Sequence, residues 1–339
     1  MLQIEQENLL IRETLTERLF PQESESVKSL DRIITDFDFT TYHISTFPGD
    51  KSKLLVSINL KCWSDLLKCG VTFYLESKFQ PFANLQILDA SQAEPGYNFS
   101  LVLDTAAAIG DDEETKLQLI ENLALLKRHS MATPFHKAFN RYDELAKKYQ
   151  NSNTYAEEII QELNDEEVIV VNYRGVDETI YLKPSFDRVT VVFSTLFQDE
   201  TDKVFGKVFL QEFVDARKRS VQTAPQVLYN HIEPPLDIQN YVGGSKNDDN
   251  KGYVTFVLFP RHLVKGDKRE NCISHIQLFR SYFHYHIKCA KAYMHSRMRF
   301  RVKEFLKILN RAKPENLDDE GKLIENRKTA SGRRFDVKA

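Results

Sequence analysis

Apolar positions along the first third of the chain switch between helical and strand spacing. Leu2, Leu9, Leu10, Leu15 and Leu19 recur mostly at three- and four-residue steps and predict a helix that Pro21 ends. Three β-like runs follow, Arg32–Asp38, Thr41–Phe47 and Lys53–Lys61, with the turn residues Pro48-Gly49-Asp50 between the last two. Trp63–Phe79 predicts a helix, and Gly96–Asp104 a strand with a partner near Leu85–Leu88. Asp111-Asp112-Glu113-Glu114 opens another helix, since acids suit the positive end of the helix dipole. Proline should break or kink that helix at Thr133-Pro134.

The second half repeats this order. Val168–Tyr173, Glu178–Leu182 and Arg188–Leu196 predict three strands, with turns at Gly175 and Pro184-Ser185. Gly206–Arg219 predicts a helix, Gln226–Tyr229 and Gly252–Phe259 two strands, and a long helix follows. Both halves read α-βββ-α-ββ-α, and both final strands open on Gly-Tyr, at 96–97 and 252–253. The expected fold class is α+β: two similar tandem α/β domains, each an antiparallel sheet covered by helices, plus a long C-terminal helix. The expected boundaries are 1–132 for the first domain, 133–166 for a helical, polar connector and 167–270 for the second domain. The helix then takes 271–312 and a flexible tail 313–339.

The last helix carries the longest regular pattern. Ile276, Phe279, Phe283, Ile287, Ala290, Met294, Met298, Val302, Phe305 and Leu309 keep steps of three or four. At 1.5 Å per residue the stripe is about 50 Å long, more than one ordinary domain covers. It either bridges both domains or packs on a partner helix, in the manner of a coiled coil.

Charge is unevenly spread along the chain. The chain has 339 residues, 42% hydrophobic and 28% charged, with a net charge of −3. That near-neutral total conceals a segment, Arg261–Lys313, with 14 basic and 3 acidic residues, a charge of +11. Residues 1–260 carry −14. No apolar run approaches the ~18 residues of a membrane span; Val189–Phe197 is among the longest. Glu5 and Glu7 interrupt any signal-peptide pattern, and Cys62, Cys69, Cys272 and Cys289 show no metal-ligand spacing and read as small buried hydrophobes. A reducing, cytoplasmic setting is expected.

Several motifs suggest chemistry. Asp36-Phe37-Asp38-Phe39-Thr40 at a strand end resembles the first motif of haloacid-dehalogenase-type phosphotransferases, in which one Asp attacks phosphorus and the next shuttles a proton beside Mg²⁺. No later strand ends in an acidic pair for the metal, and the following runs read as hairpins; two exposed acids in a hairpin is the simpler reading. His231-Ile232-Glu233 lacks the Pro-Cys-x-x-Cys of a zinc deaminase, and Gly243-Gly244-Ser245-Lys246 lacks phosphate-loop spacing. His284 and His286 point about 200° apart on a helix and do not share a metal. No cofactor or metal site is expected.

The basic helix is the strongest candidate. Lys288, Lys291, Arg297, Arg299, Arg301, Lys303, Lys307 and Arg311 flank its stripe, with Tyr282, Tyr285 and Tyr293 among them. RNA-binding motifs are absent, so an acidic protein surface is the expected partner rather than nucleic acid.

Asp187–Thr195 (DRVTVVFST), Gly206–Phe209, Thr223–Leu228, Gly252–His262 (GYVTFVLFPRH), His284–Tyr293 (HYHIKCAKAY) and Phe305–Pro314 together resemble a known family. Tyr42–Ser45 and Gly96–Asn98 extend the match. The family is that of the second subunits of the actin-related protein 2/3 complex, which nucleates branched actin filaments. The resemblance implies a non-enzymatic scaffold of two tandem α/β domains whose long helix pairs with the complex's fourth subunit. It also implies contact with the mother actin filament, location in the cortical actin cytoskeleton, and nucleotide sites on other subunits. A haloacid-dehalogenase-like phosphatase using Asp36 and Asp38, or an unrelated chaperone-like adaptor, stands as the alternative.

Overall fold

A computed structural model describes residues 4–21, 28–150, 161, 166–242 and 249–311. Two five-stranded antiparallel sheets carry the architecture. The first contains β1 (Asp31–Asp36), β2 (Thr40–Thr46), β3 (Lys53–Asn59), β4 (Leu85–Ile87) and β5 (Phe99–Asp104), in the order β1-β2-β3-β5-β4. The second contains β6 (Ile169–Val171), β7 (Ile180–Pro184), β8 (Val189–Leu196), β9 (Gln226–His231) and β10 (Lys251–Leu258), in the order β6-β7-β8-β10-β9. The two orders are the same, which is the tandem α/β repeat that the element order predicts. Alternation sets the faces: Tyr42 and Ile44 of β2 and Leu54, Val56 and Ile58 of β3 point into the core. In the second sheet, β8 is buried along nearly its whole length, Thr190, Ser194 and Thr195 included, so its burial does not alternate.

Helix α1 (Leu9–Leu19) starts where the Asn8 side chain accepts the Ile11 N–H at 3.2 Å. Its buried face is Ile11, Leu15 and Leu19, whereas Leu9 and Leu10 are exposed. The expected helix over Trp63–Phe79 is two helices, α2 (Trp63–Leu67) and α3 (Val71–Phe79). Gly70 divides them at φ +79°, a conformation that glycine adopts without strain. Helix α4 (Thr105–Ile109) follows β5, capped by Asp104. Helix α5 (Glu113–Ala124) is capped by Asp112, as its acidic start predicts.

The expected break at Pro134 is absent. Helix α6 (Leu126–Lys148) starts after Leu125 and continues past the proline. Pro134 cannot donate to the Ser130 carbonyl, but the Thr133 hydroxyl donates to it instead at 2.9 Å. The expected boundary at 132/133 therefore falls inside a helix. Residues from 133 on are not a polar connector: Phe135, Ala138, Phe139, Tyr142 and Leu145 are buried. A contiguous core draws on both sheets, and residues up to Ile287 form one compact unit. Within the expected connector, 151–160 and 162–165 lie outside the described residues, as do 243–248 and the tail from 312.

Helix α7 (Glu200–Arg219) lies between β8 and β9 in sequence, and α8 (Asp267–Arg311) closes the described chain. Buried cations fix the start of α8 against α6. Arg128 donates to the Glu270 carboxylate at 2.8 Å and to Ser274 Oγ at 3.1 Å. Arg269 donates to both Asp143 oxygens at 3.0 Å and to the Leu263 carbonyl at 2.9 Å. The sheets are joined by Asp65, which accepts from the Asn172 N–H at 3.1 Å and its Nδ2 at 3.0 Å. Burial alone raises the Asp65 carboxyl pKa, but those bonds and Lys68 outweigh it and hold the pKa below the usual carboxylate value. Of the four cysteines, Cys62 is buried, Cys69 and Cys272 are half-buried and Cys289 is exposed, which corrects the reading of all four as core.

Two predictions follow from the packing. A Cβ on Gly206 of α7 stands 2.8 Å from the Phe197 ring and 3.1 Å from that of Phe283. Gly206→Ala, which in an open helix stabilises by about 1 kcal/mol, should here destabilise by roughly 1–3 kcal/mol in urea titrations of the full-length chain. His129 of α6 is buried with neither ring nitrogen partnered among the described residues. Burial, then the charges of Arg128, Lys78 and His136, lowers its pKa from 6.5 to about 3. The unfolded chain takes up that proton first. Stability is thus unaffected above pH 6.5 and falls by up to about 1.4 kcal/mol per pH unit between 6.5 and 3. His129→Leu should flatten the pH slope of the unfolding free energy, taken from urea titrations, by that amount.

Candidate functional site

Helix α8 is continuous over 45 residues, about 67 Å. Its first part is seated in the chain's own core. Ile273, Ile276, Phe279, Phe283 and Ile287 are all buried. The Phe279 ring lies 5.3 Å from Phe193 of β8 and 4.7 Å from Phe256 of β10, with an edge-on contact to Phe256. Phe283 meets Phe197 at 6.2 Å. Arg280 binds both Glu178 oxygens, at 3.0 and 2.8 Å. The Tyr282 hydroxyl donates to the Ile4 carbonyl at 2.8 Å and accepts the Ile4 N–H at 2.9 Å.

Lys288–Arg311 belongs to a second unit and buries no side chain. The expected partner stripe is therefore divided. Ile276, Phe279, Phe283 and Ile287 are covered by this chain and cannot meet a partner. Met294, Met298, Val302, Phe305 and Leu309 are exposed by 47%, 59%, 55%, 61% and 45%. Ala290 lies between, half-buried. Leu306 and Ile308, also exposed, flank this stripe and widen it to roughly 160°, broader than the seam of a two-stranded coiled coil. Phe300, 61% exposed, falls on the far side.

All eight expected basic residues lie on this second part; Lys291 is half-buried and the others are exposed. They do not simply flank the stripe. Arg299, Lys303, Lys307 and Arg311 follow one another at four-residue steps and form a ridge on the side away from it. Arg297 donates to the Tyr293 hydroxyl at 2.7 Å, its guanidinium 5.6 Å from that ring's centroid. Lys307 pairs with Glu304 at 2.9 Å, the one acid among the 24 residues, which leaves a net charge of +7. Like charges at four-residue spacing cost about 0.2–0.5 kcal/mol per pair, which an acidic partner surface relieves.

The other expected sites are structural. Asp36 and Asp38 are not exposed acids. Asp38 pairs with Lys127 at 3.2 Å and with Arg174 at 3.1 Å, and Asp36 lies 3.9 Å from Lys127. Asp38 and Phe39 hold φ of +61° and +55°, a hairpin turn of the primed type, and Arg174 covers the Phe39 ring at 4.7 Å. Arg174 continues to Glu178 at 2.6 Å, so the motif is a charged clasp between the first hairpin and the second sheet. His284 lies beside Glu178 at 3.9 Å and Phe197, while His286 contacts Phe209, so the two serve separate packing contacts. His231 ends β9, and Gly243–Lys246 lie outside the described residues.

The geometry defines a class: a repeated α+β body that takes up Ile273–Ile287 of a long helix, and a second unit whose helical residues carry an uncovered apolar stripe and a basic ridge. Comparison with known proteins specifies it. The family model described as "Arp2/3 complex, 34 kD subunit p34-Arc" matches residues 56–316. The chain is 47% identical over 336 residues to "Actin-related protein 2/3 complex subunit 2" of Schizosaccharomyces pombe, covering 99% of each chain. It is 39% identical over 293 residues to the protein of that name from Dictyostelium discoideum, covering 86% of this chain and 88% of the other. The chain belongs to the family of the 34 kD subunit of the Arp2/3 complex.

The division of α8 makes a contrast in stability. Phe283→Ala should cost about 3–5 kcal/mol in urea unfolding of the full-length chain, by emptying a filled core position. Phe305→Ala should leave the same transition within about 0.5 kcal/mol.

Proposed function

We propose that the chain is a non-enzymatic, actin-binding scaffold subunit of the Arp2/3 complex. It forms part of the structural core and contacts the mother filament while a branch is nucleated. The observation that carries this reading is the uncovered half of α8, with its apolar stripe on one side and its basic ridge on the other. The stripe Met294–Leu309 suits a helix of another subunit, which the family resemblance implies is the fourth. Its breadth leaves room for a second contact beside that helix. The basic ridge suits the acidic surface of an actin filament. The setting that fits is the actin cytoskeleton of the cytoplasm, cortical patches included.

The phosphatase alternative is disfavoured by geometry. Both carboxylates of its motif lie beside Lys127, and Asp38 is further held by Arg174 in an antiparallel hairpin. A Mg²⁺ ion would have to displace those cations to reach the carboxylates, and Asp38 is not free to act on phosphorus. Asp36→Asn should accordingly change no phosphatase activity in the purified protein. For the scaffold reading, the tagged chain drawn from native extract should carry a stable assembly containing actin-related subunits; a lone monomer overturns it. Reversing the charge of Arg297, Arg299 and Lys303 should weaken co-sedimentation of the assembled complex with filaments by roughly tenfold at low salt. Unchanged co-sedimentation overturns the assignment of the ridge to actin.

A further inference from the structure

Strand β9 is an edge. It pairs with β10 on one side, and among the described residues no strand pairs with it on the other. Helix α7 packs against the core-facing side of β9, and the two line a groove of about 330 Å³ beside the edge. Leu210 and Val214 of α7 and Val227 of β9 give the groove an apolar floor, with Lys207 and Lys218 among its lining. Neither Asp nor Glu lines it; Glu212 and Asp215 of α7 engage Arg219 and Gln211 instead.

The register fixes which backbone groups face away from β10. Ile232 donates its N–H to the Lys251 carbonyl at 3.0 Å, and that pair continues the β9–β10 ladder. Antiparallel pairs alternate between bonded and non-bonded, so Asn230 and Leu228 bond to β10. The N–H and C=O of Tyr229 and Val227 therefore point to the free edge. The turn that sets α7 beside β9 is fastened from three sides. Arg217 donates to the Ala224 carbonyl at 3.1 Å, Arg261 to that of Gln222 at 3.1 Å, and His262 Nε2 lies 2.7 Å from that of Thr223. A groove held this way is formed before anything enters it, which lowers the ordering cost of binding.

We propose that this groove binds an extended acidic peptide segment of a partner protein, which adds to β9 as a further antiparallel or parallel strand. Four backbone hydrogen bonds to Val227 and Tyr229 hold it. Alternate apolar side chains enter between Leu210, Val214 and Val227, and the long side chains of Lys207 and Lys218 supply the positive charge that draws its carboxylates, which stand on the other face of the strand. The site is separate from the uncovered half of α8 and does not rest on the role proposed for that helix.

The test uses the full-length chain and a fluorescein-labelled octapeptide of alternating Val and Glu, titrated by fluorescence anisotropy. The expected result is saturable binding that K207E/K218E weakens at least tenfold, with the variant's urea midpoint unchanged. Two modified peptides test the strand geometry on the unaltered protein. N-methylation of one alternate set of residues removes the amides that face β9 and should cost at least tenfold; methylation of the other set should cost less than threefold. Three results overturn the proposal: no saturable binding of the unmodified octapeptide, equal binding of the two methylated peptides, or binding unchanged by the charge reversal. Loss on charge reversal with equal binding of the methylated pair means ionic association alone, which also overturns strand addition.

Discussion

Phe279 stands between Phe193 of β8 and Phe256 of β10, and the position of α8 depends on that seat. With Ile273, Ile276, Phe283 and Ile287 it places five large apolar side chains in the core, each worth about 1.5–3 kcal/mol when fully buried. The cations around them act differently. Arg128, Arg269 and Arg280 are paired with carboxylates at close range, yet desolvation offsets much of the gain from such pairs. Their effect is on geometry: a helix displaced by one turn would strand buried charge, so the clamps select one register for a helix that apolar burial already holds.

That register has consequences for the residues beyond Ile287. An isolated helix must first form a costly nucleus, and one with like charges at four-residue spacing is further weakened. Residues from Lys288 onward extend a helix whose nucleus is already supplied, so each adds one hydrogen bond for each residue ordered. The chain can thus keep Met294, Met298, Val302, Phe305 and Leu309 in helical array without core contacts for any of them. An apolar stripe presented in order loses little entropy on meeting a partner, which fits the helix for assembly.

Much of this was readable along the chain. The strands of both sheets fall within a few residues of their predicted places, because runs rich in β-branched and aromatic residues such as Val189–Leu196 leave little choice. The expected Gly-Tyr openings were misplaced: β5 begins at Phe99, after Gly96-Tyr97 and a left-handed turn at Gly96, and β10 begins one residue before Gly252. Proline misled at Pro134, since the local substitute is a single hydroxyl, that of Thr133. Asp38 misled for a different reason. Its partner Arg174 is 136 residues away, and no spacing rule links them. The last helix shows the limit most plainly. Its period is the same from Ile276 to Ile287 as from Met294 to Leu309, so periodicity finds the stripe but cannot tell which part this chain covers itself. The groove beside β9 was equally hidden, because an edge is a property of strand order and not of any one strand.

Amide hydrogen exchange on α8, in the free chain and in the assembled complex, tests the division most directly. Amides of Ile273–Ile287 should be protected in both. Those of Met294–Leu309 should exchange quickly in the free chain and gain protection of at least a hundredfold in the complex, as an uncovered helix does when a partner covers it. Equal protection of the two parts in the free chain, or no gain on assembly, would contradict the account.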